Sequence, residues 1–535
     1  MKLSSFNHIA LLFIFLSSVS FYGQTIKWIG KNGANPIKSK NWIIEGTKKH
    51  PKNTTILSNG LINYSLLVEN DTIDFSKLNQ LNFKDDTMSI SLNGAYLKGI
   101  KLTKGQINLS NASTLELSDT HPLGAKSSVA IKDNSSWIKL TNVNPLEFKD
   151  FFINVKLSHH EKANPENLRV NQYYYSGSLV RPLHDAYKPC KLFKKQSKND
   201  DSLDISEFKI YRATDLKEFN NSVSSLFLDR GYMITLAENE DGTGKSKVYI
   251  AEESSLSIDL SEDLNNAVSF IRVMPWNWVT KKGVSSFKKG IGASWTYNWG
   301  NKKESLPNME YAPMAWSGRS ATKADVAKHI TKKNITHFMG FNECDNCHDQ
   351  SGQYDNLCNV DVAIPLYENL MGTGLRLVSP SLREQGPFGW LEEFVEKAEA
   401  QNIRIDVIGL HWYDWGSKPK DSPYEDAKEV FERFKKYLQR VYDKYQRPIW
   451  ITEFNANPNR DVSVHIDFVK LALPYLEQLD YVERYCYFEP FKHRSLENGV
   501  NPTNYREKNG ALTAFGKVYV ELGVPEHSKY TDIQK

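Results

Sequence analysis

The sequence predicts a multidomain protein in which a C-terminal (β/α)8 TIM-type barrel follows two all-β domains. Three observations predict this. The chain has 535 residues, too many for one ordinary core. Residues 25–187 and 205–283 carry short apolar pairs in period-two alternation, punctuated by Asn, Ser, Gly and Asp. From residue 288 onward, strand-like apolar runs alternate with helical patterns.

The first element is a targeting segment. Lys2 precedes the apolar run Ile9 to Leu16, and small and polar residues follow as far as Gly23 and Gln24. This is the layout of a signal peptide over residues 1–23, and the run is too short to span a bilayer. No cysteine follows at once to suggest a lipid anchor, and no other stretch reaches the ~18 apolar residues of a membrane helix. The expectation is an exported protein, secreted, periplasmic or on the cell surface, without a membrane span.

Residues 25–187 contain the pairs Leu81–Phe83, Ile107–Leu109, Leu115–Leu117, Val129–Ile131 and Ile138–Leu140. Turn signals such as Leu92-Asn93-Gly94 and Lys132-Asp133-Asn134 separate them. An all-β domain follows, either a sandwich or a short β-solenoid; without a strict repeat period the two stay open. Glycan binding and a spacer role suit it equally. The polar, basic stretch within 188–204 reads as a linker. Gly231–Ala237, Lys247–Ala251 and Phe270–Trp276 then mark a small β-module over 205–283.

In residues 288–522, candidate strands end near Trp299, Trp316, Asn342, Pro380, Tyr413, Phe454 and Phe488. That is seven ends where a barrel needs eight, so one early strand is missing or irregular. The clearest helix opens at Ser422-Pro423-Tyr424-Glu425, a capping box with proline at the first helical position. Its stripe is Ala427, Val430, Phe431, Phe434, Leu438, Val441, Tyr442 and Tyr445, at the spacing of one buried face. Pro448 then opens the strand Ile449–Thr452. Residues 523–535 read as a tail.

Composition narrows function. Basic and acidic residues number 67 and 63, a net charge of +4, so nothing marks a polyanion binder and no nucleic-acid partner is expected. Aromatic residues reach 12%, which leans weakly toward sugar rings, because core packing is their commoner use. The five cysteines, Cys190, Cys344, Cys347, Cys358 and Cys486, allow one or two disulfides in an oxidising compartment and leave at least one thiol over. The cluster Cys344, Cys347 and Cys358 can bridge locally, but sequence does not choose a pairing.

Barrel enzymes place catalytic groups at the C-terminal ends of strands. Thr336–Glu343 ends one strand on a glutamate, and Pro448–Phe454 carries another, Glu453, at a second strand end. They lie 453 − 343 = 110 residues apart, about three strand–helix units. Glycosidic cleavage needs one carboxylic acid to protonate the leaving oxygen and a second carboxylate to attack carbon or activate water. A lone glutamate is more often an ion-pair partner; two in these contexts are a stronger signal.

The run Trp295–Trp299, Tyr311–Trp316, Gly340-Phe341-Asn342-Glu343, Val378-Ser379-Pro380, His411-Trp412-Tyr413 and Trp450–Phe454 resembles glycoside hydrolase family 128 over residues 290–490. Its Asn-Glu and Thr-Glu-Phe elements are similar to those that clan A of the retaining glycoside hydrolases uses at its fourth and seventh strands. The resemblance implies endo-acting hydrolysis of β-1,3-glucan, with Glu343 as acid/base and Glu453 as nucleophile. Cys344 stands where family members commonly have proline, so the loop after the acid is expected to differ. Residues 205–283 resemble a small β-module found ahead of catalytic domains in secreted bacterial polysaccharide-degrading enzymes; Trp276 and Trp278 there suit packing better than sugar contact.

Asn342, His411, Tyr413, Trp299, Trp316, Trp415 and Tyr297 are the candidate substrate-binding residues. Asn342 is placed for a sugar 2-hydroxyl, whereas its alternative role is a strand-end turn. His411 and Tyr413 alternate onto one strand face. Aromatic walls and an ionised Glu453 are expected to raise the Glu343 pKa.

Four motifs carry no such weight. Cys344-Asp345-Asn346-Cys347-His348 matches a c-type haem attachment pattern but lies on the catalytic strand end. Asp241–Ser246 lacks the first glycine of a phosphate loop, Gly290-Ile291-Gly292 lacks a third glycine, and His159-His160-Glu161 has no partner at zinc spacing. No metal, no cofactor and a monomer are expected, with a polysaccharide as partner. Another β-linked polysaccharide, such as an algal galactan, and a non-catalytic glycan-binding role are the alternatives.

Overall fold

The computed structural model describes residues 24–31, 33–78, 81–85, 87–117, 123–157, 162–164, 166–183, 187–198, 201–490 and 501–523. The expected signal peptide, the His159-His160-Glu161 motif and all but the first residue of the expected tail lie outside them. The described residues form two compact units: those within 24–116, 123–136 and 154–157 form one, and those within 137–153 and 162–523, with residue 117, the other. No helix among the described residues is long and apolar enough to cross a membrane.

In the first unit, Thr25–Trp28, Ser65–Glu69, Ser89–Asn93, Leu102–Ser110, Leu123–Ile131 and Val155–Leu157 pair side by side, all parallel. Leu66, Ile90, Ile107, Val129 and Val155 share one register row, and all are buried. The steps along that row are 24, 17, 22 and 26 residues, which is why the sequence shows no fixed period. A second parallel set pairs Thr72 with Tyr96 and Tyr96 with Thr114. Successive coils thus stack aliphatic side chains inward, each coil resting on its neighbour.

The second unit begins with antiparallel β structure. Leu168–Tyr173 pairs with Gly177–Pro182. The stretch read as a linker is instead part of a sheet: Cys190–Phe193 pairs antiparallel with Ser202–Ile205 and with Ser225–Leu228. Its charges misled because they alternate with core residues; Lys191 is exposed, while Cys190 and Leu192 are buried beside Leu226 and Ile271. A second four-stranded sheet holds Tyr232–Ala237 between Ser246–Ala251 and Phe270–Pro275. Trp276 and Trp278 are each 1% exposed, so both pack in the core.

Eight parallel strands follow: β1 (Lys282–Ser285), β2 (Trp295–Tyr297), β3 (Glu310–Tyr311), β4 (His337–Met339), β5 (Arg376–Val378), β6 (Ile408–Trp412), β7 (Ile449–Phe454) and β8 (Val482–Tyr487). Six form one sheet in the order β3-β2-β1-β8-β7-β6, and β4 pairs with β5 in another. Parallel bridges Met314↔Met339 and Val378↔Val407 link the edges of these two sheets. The strand missing from the sequence count is β1, which lies ahead of residue 288 and pairs through only two residues with β8. Helices α1 (Lys323–His329), α2 (Val360–Glu368), α3 (Trp390–Ala400), α4 (Ala427–Tyr445), α5 (Val462–Gln478) and α6 (Ala514–Glu521) follow β3 to β8 in turn.

α4 begins later than the sequence suggests. Asp426, not Ser422, caps it by accepting from the Lys428 amide at 2.9 Å. Glu425 is drawn away from a capping role by Arg433 and Arg460. Of the expected stripe, Ala427, Val430, Phe434, Leu438 and Val441 are buried, Phe431, Tyr442 and Tyr445 are half-buried against the same core, and Phe434 stacks on Phe454 of β7 at 5.5 Å.

Candidate active site

The C-terminal strand ends converge on a cavity of about 760 Å³. Its walls include Trp299, Trp316, Asn342, Glu343, Tyr413, Trp415 and Glu453. Seven of the nine residues singled out in the sequence therefore meet in one space. His411 and Tyr297, expected as substrate contacts, lie beneath the wall instead. Both are fully buried, and the Tyr297 hydroxyl donates to the Thr452 carbonyl at 2.7 Å. Alternation puts a strand residue on the inner face but does not set its depth; Trp299 and Tyr413, just past their strand ends, reach the opening, and Tyr297 and His411, two positions earlier, fill the interior.

Glu343 lies just past β4, where the chain turns sharply at φ +47°, a left-handed conformation rare outside glycine. Its amide donates to the Ser381 carbonyl at 2.8 Å, which fixes the turn against the end of β5. Gly340 lets these two strand ends close up, since a Cβ there would stand 2.7 Å from the Pro380 nitrogen. Asn342 is buried; its amide group donates to Gln350 at 3.4 Å, and its Oδ1 makes no hydrogen bond among the described residues.

One ring ties the glutamates together. His411 Nδ1 is 2.8 Å from Glu343 Oε1, and His411 Nε2 is 3.6 Å from Glu453 Oε1. One donor atom from each of Glu343, His411 and Glu453 lies within 4.8 Å of the other two. Glu453 also accepts from Trp299 Nε1 at 2.7 Å and from the Tyr413 hydroxyl. Such a trio has the donor types of a metal site, but both carboxylates and His411 Nδ1 are already engaged with protein.

Charge follows this wiring. Burial pushes the Glu343 carboxyl up, but its His411 hydrogen bond, the His411 charge and Arg383 outweigh burial and hold it below its ordinary value. Burial raises Glu453, with the Glu343 charge adding to it and His411 opposing. Burial depresses His411, yet Glu453 and Glu343 more than reverse that and raise it. The expected raised Glu343 is thus corrected: the sequence reading did not count a cation at either end of its carboxylate. The three groups titrate as one coupled set.

The cavity holds residues that the sequence reading missed. Arg383 donates from Nε to Glu343 Oε2 at 3.3 Å. Asp345 and Glu384 line the wall, and burial raises both carboxyls. Glu384 accepts from the Trp415 amide at 3.0 Å. The signal was Arg383-Glu384, charged residues just past the apolar end of β5. Cys347 and Cys358 form a disulfide, and Cys344 is a buried thiol, so the haem-like motif is taken up by the loop itself.

Residues 274–519 match the glycosyl hydrolase catalytic core. A subgroup I endo-β-1,3-glucanase of glycoside hydrolase family 128 from Amycolatopsis mediterranei, solved with laminaritriose, is 30% identical to this chain. The likeness covers 45% of this chain and 99% of that one, with a TM-score of 0.37. The chain belongs to glycoside hydrolase family 128. A family 128 subgroup II endo-β-1,3-glucanase from Sorangium cellulosum is 23% identical, covering 46% of this chain and 99% of that one, with a TM-score of 0.36. A subgroup VII oligosaccharide-binding protein of family 128 from Trichoderma gamsii is 19% identical, covering 45% and 93%, with a TM-score of 0.34. No curated protein matches the chain. The part matched as catalytic core contains all nine candidate residues of this family 128 chain.

Proposed function

We propose that this chain is an exported, retaining endo-β-1,3-glucanase, with Glu343 as acid/base and Glu453 as nucleophile. The observation that supports this most is the pair of glutamate oxygens within 4.8 Å of each other at the wall of one cavity. Retaining enzymes hold their carboxyl groups about 5–5.5 Å apart, whereas inverting enzymes need about 6.5–9.5 Å to admit water. The eight parallel strands, joined in sequence order through two bridges, are read as a (β/α)8 barrel carrying the site at its C-terminal rim. The first unit is read as a short β-solenoid, with a spacer or glycan-binding role.

The chemistry runs in two steps. Glu453 attacks the anomeric carbon while the glycosidic C–O bond breaks and Glu343 gives its proton to the leaving oxygen. Glu343 then takes a proton from water, the resulting hydroxide attacks the same carbon, and Glu453 departs as carboxylate. The first step needs a protonated Glu343, although His411 and Arg383 favour its anion. His411 resolves this. A Glu343 anion beside a charged His411 and a Glu343 acid beside a neutral ring hold the same number of protons, and the two forms differ by one transfer along the 2.8 Å bond. Tyr413 and Trp299 donate to Glu453 and favour its ionised, attacking form.

Trp299, Trp316 and Trp415 offer apolar faces to sugar rings. Among the described residues that line the cavity, Glu343, Asp345, Glu384 and Glu453 face it with one cation, Arg383. That balance favours a neutral glycan over a sulfated algal galactan. Digestion of a panel of laminarin, mixed-linkage glucan, agarose and carrageenan tests the reading. Laminarin should yield short β-1,3-oligosaccharides. Cleavage of a galactan alone would move the activity to the alternative substrate, and binding without cleavage would move the chain to the non-catalytic class.

A further inference from the structure

The loop that follows Glu343 departs from a short strand–helix connection and folds back on the site. It begins at buried Cys344, and the Cys347–Cys358 disulfide ties its start to the residue just before the α2 cap. Gly352 lies so close to the loop's own backbone that a Cβ would stand 2.2 Å from the Asn346 carbonyl oxygen. Ser351 donates from Oγ to the Asn342 carbonyl at 2.7 Å. The bridge therefore holds a compact turn against the end of β4.

Two side chains of that turn reach the chemistry. Gln350 accepts from Asn342 Nδ2 at 3.4 Å. Asp349 accepts from an Arg383 terminal nitrogen at 2.8 Å, and Arg383 in turn donates from Nε to Glu343 Oε2. Asp349 is exposed and 58% accessible at its side chain, so its geometry depends on the turn that carries it. Without a partner, Arg383 is a long, rotatable side chain at the cavity wall.

We propose that Asp349, held by the disulfide-tied turn, and Arg383 are positioning residues that fix the orientation and proton affinity of Glu343. This rests on the reading of Glu343 as acid/base. Among the described residues, six charged or titratable groups act on Glu343: His411 from β6, Glu453 from β7, Arg383 from beyond β5, Asp345 from its own loop, and the phenols of Tyr297 from β2 and Tyr413 from just past β6. Of these, Arg383 is the cation whose position the loop controls. Removing it leaves the glutamates and His411 holding their shared proton more tightly.

The test compares pH profiles of laminarin hydrolysis for the full chain, Arg383→Gln, Arg383→Lys, Asp349→Asn and the double variant Cys347→Ser/Cys358→Ser, with Glu343→Gln carried alongside. Arg383→Gln should lower kcat about tenfold at little change in KM, and move the alkaline limb upward by about 1 pH unit. Arg383→Lys should recover part of that shift. Asp349→Asn and the double variant should shift the limb in the same direction by less; Asp349→Asn keeps the bridge and reports even where the double variant folds poorly. Unmoved limbs in Arg383→Gln and Asp349→Asn, with Glu343→Gln inactive, would overturn the relay alone. Full activity in Glu343→Gln would overturn both the relay and the acid/base reading.

Discussion

His411 Nδ1 stands 2.8 Å from Glu343 Oε1, inside a site where the ring itself is fully buried. The ring opposes a low dielectric by sitting between two carboxylates, and its proton is raised in affinity by them. Its charge is complete below its ordinary value of 6.5 and is lost as pH rises through the higher value it has in the folded protein. The alkaline limb of activity should follow that loss. Replacing His411 with Phe leaves the proton on Glu343 alone. The expected outcome is a fall in kcat of about 100-fold and an alkaline limb displaced to lower pH. A limb displaced to higher pH, or none at all, would remove His411 from the proton inventory.

Glu384 gives a stability test with a defined sign. Burial raises its carboxyl above the ordinary 4.5, so the folded protein holds an ionised Glu384 at a cost. That cost is present above the folded value and disappears as pH falls to about 4.5 or below. Glu384→Gln keeps an oxygen for the Tyr413 and Trp415 amides and removes the charge. Thermal melts should show a higher midpoint for the variant at neutral pH and no difference near pH 4. A variant less stable than the parent at neutral pH would show that the ionised oxygen is the better acceptor.

Trp415 is 52% exposed, yet its backbone is anchored. Asp414 before it takes a left-handed conformation at φ +54° and is gripped by Arg433 at 2.7 Å and Arg460 at 2.9 Å. An exposed indole on so fixed a base suits ring stacking more than core packing. Trp415→Ala should raise KM for laminarin about tenfold, equivalent to about 1.4 kcal/mol, with kcat and the melting midpoint nearly unchanged. A lowered midpoint at unchanged KM would make Trp415 structural.

Phe434 couples α4 to the strand that carries Glu453. It is fully buried and stacks on Phe454, with the rings inclined by only 6°. Phe434→Ala should cost about 3–5 kcal/mol in chemical denaturation. Activity per folded molecule should survive if the loss is one of packing alone.

What the sequence revealed, and what it hid, follows from range of interaction. Glu343 and Glu453 were legible because each ends an apolar strand, and position on a strand is a local property. The stripe of α4 was legible for the same reason. His411 and Tyr297 were misplaced in depth, since depth depends on strands far away in the chain. Arg383 and Asp349 were missed because their meaning arises only where the loop after β4 meets the end of β5. The 188–204 stretch deceived through charge: Lys191 faces outward while Leu192 is in the core. The stacked coils of the first unit stayed one of two alternatives, a sandwich or a short β-solenoid, because their steps differ in length.

The stereochemistry of the first product tests the covalent bond to Glu453 most directly. Proton NMR of laminarin hydrolysis at early times reports the anomeric configuration of newly formed reducing ends before mutarotation. A β-anomer appearing first, with α following only by mutarotation, is the predicted result. An α-anomer appearing first would mean direct displacement by water and would contradict a covalent bond to Glu453.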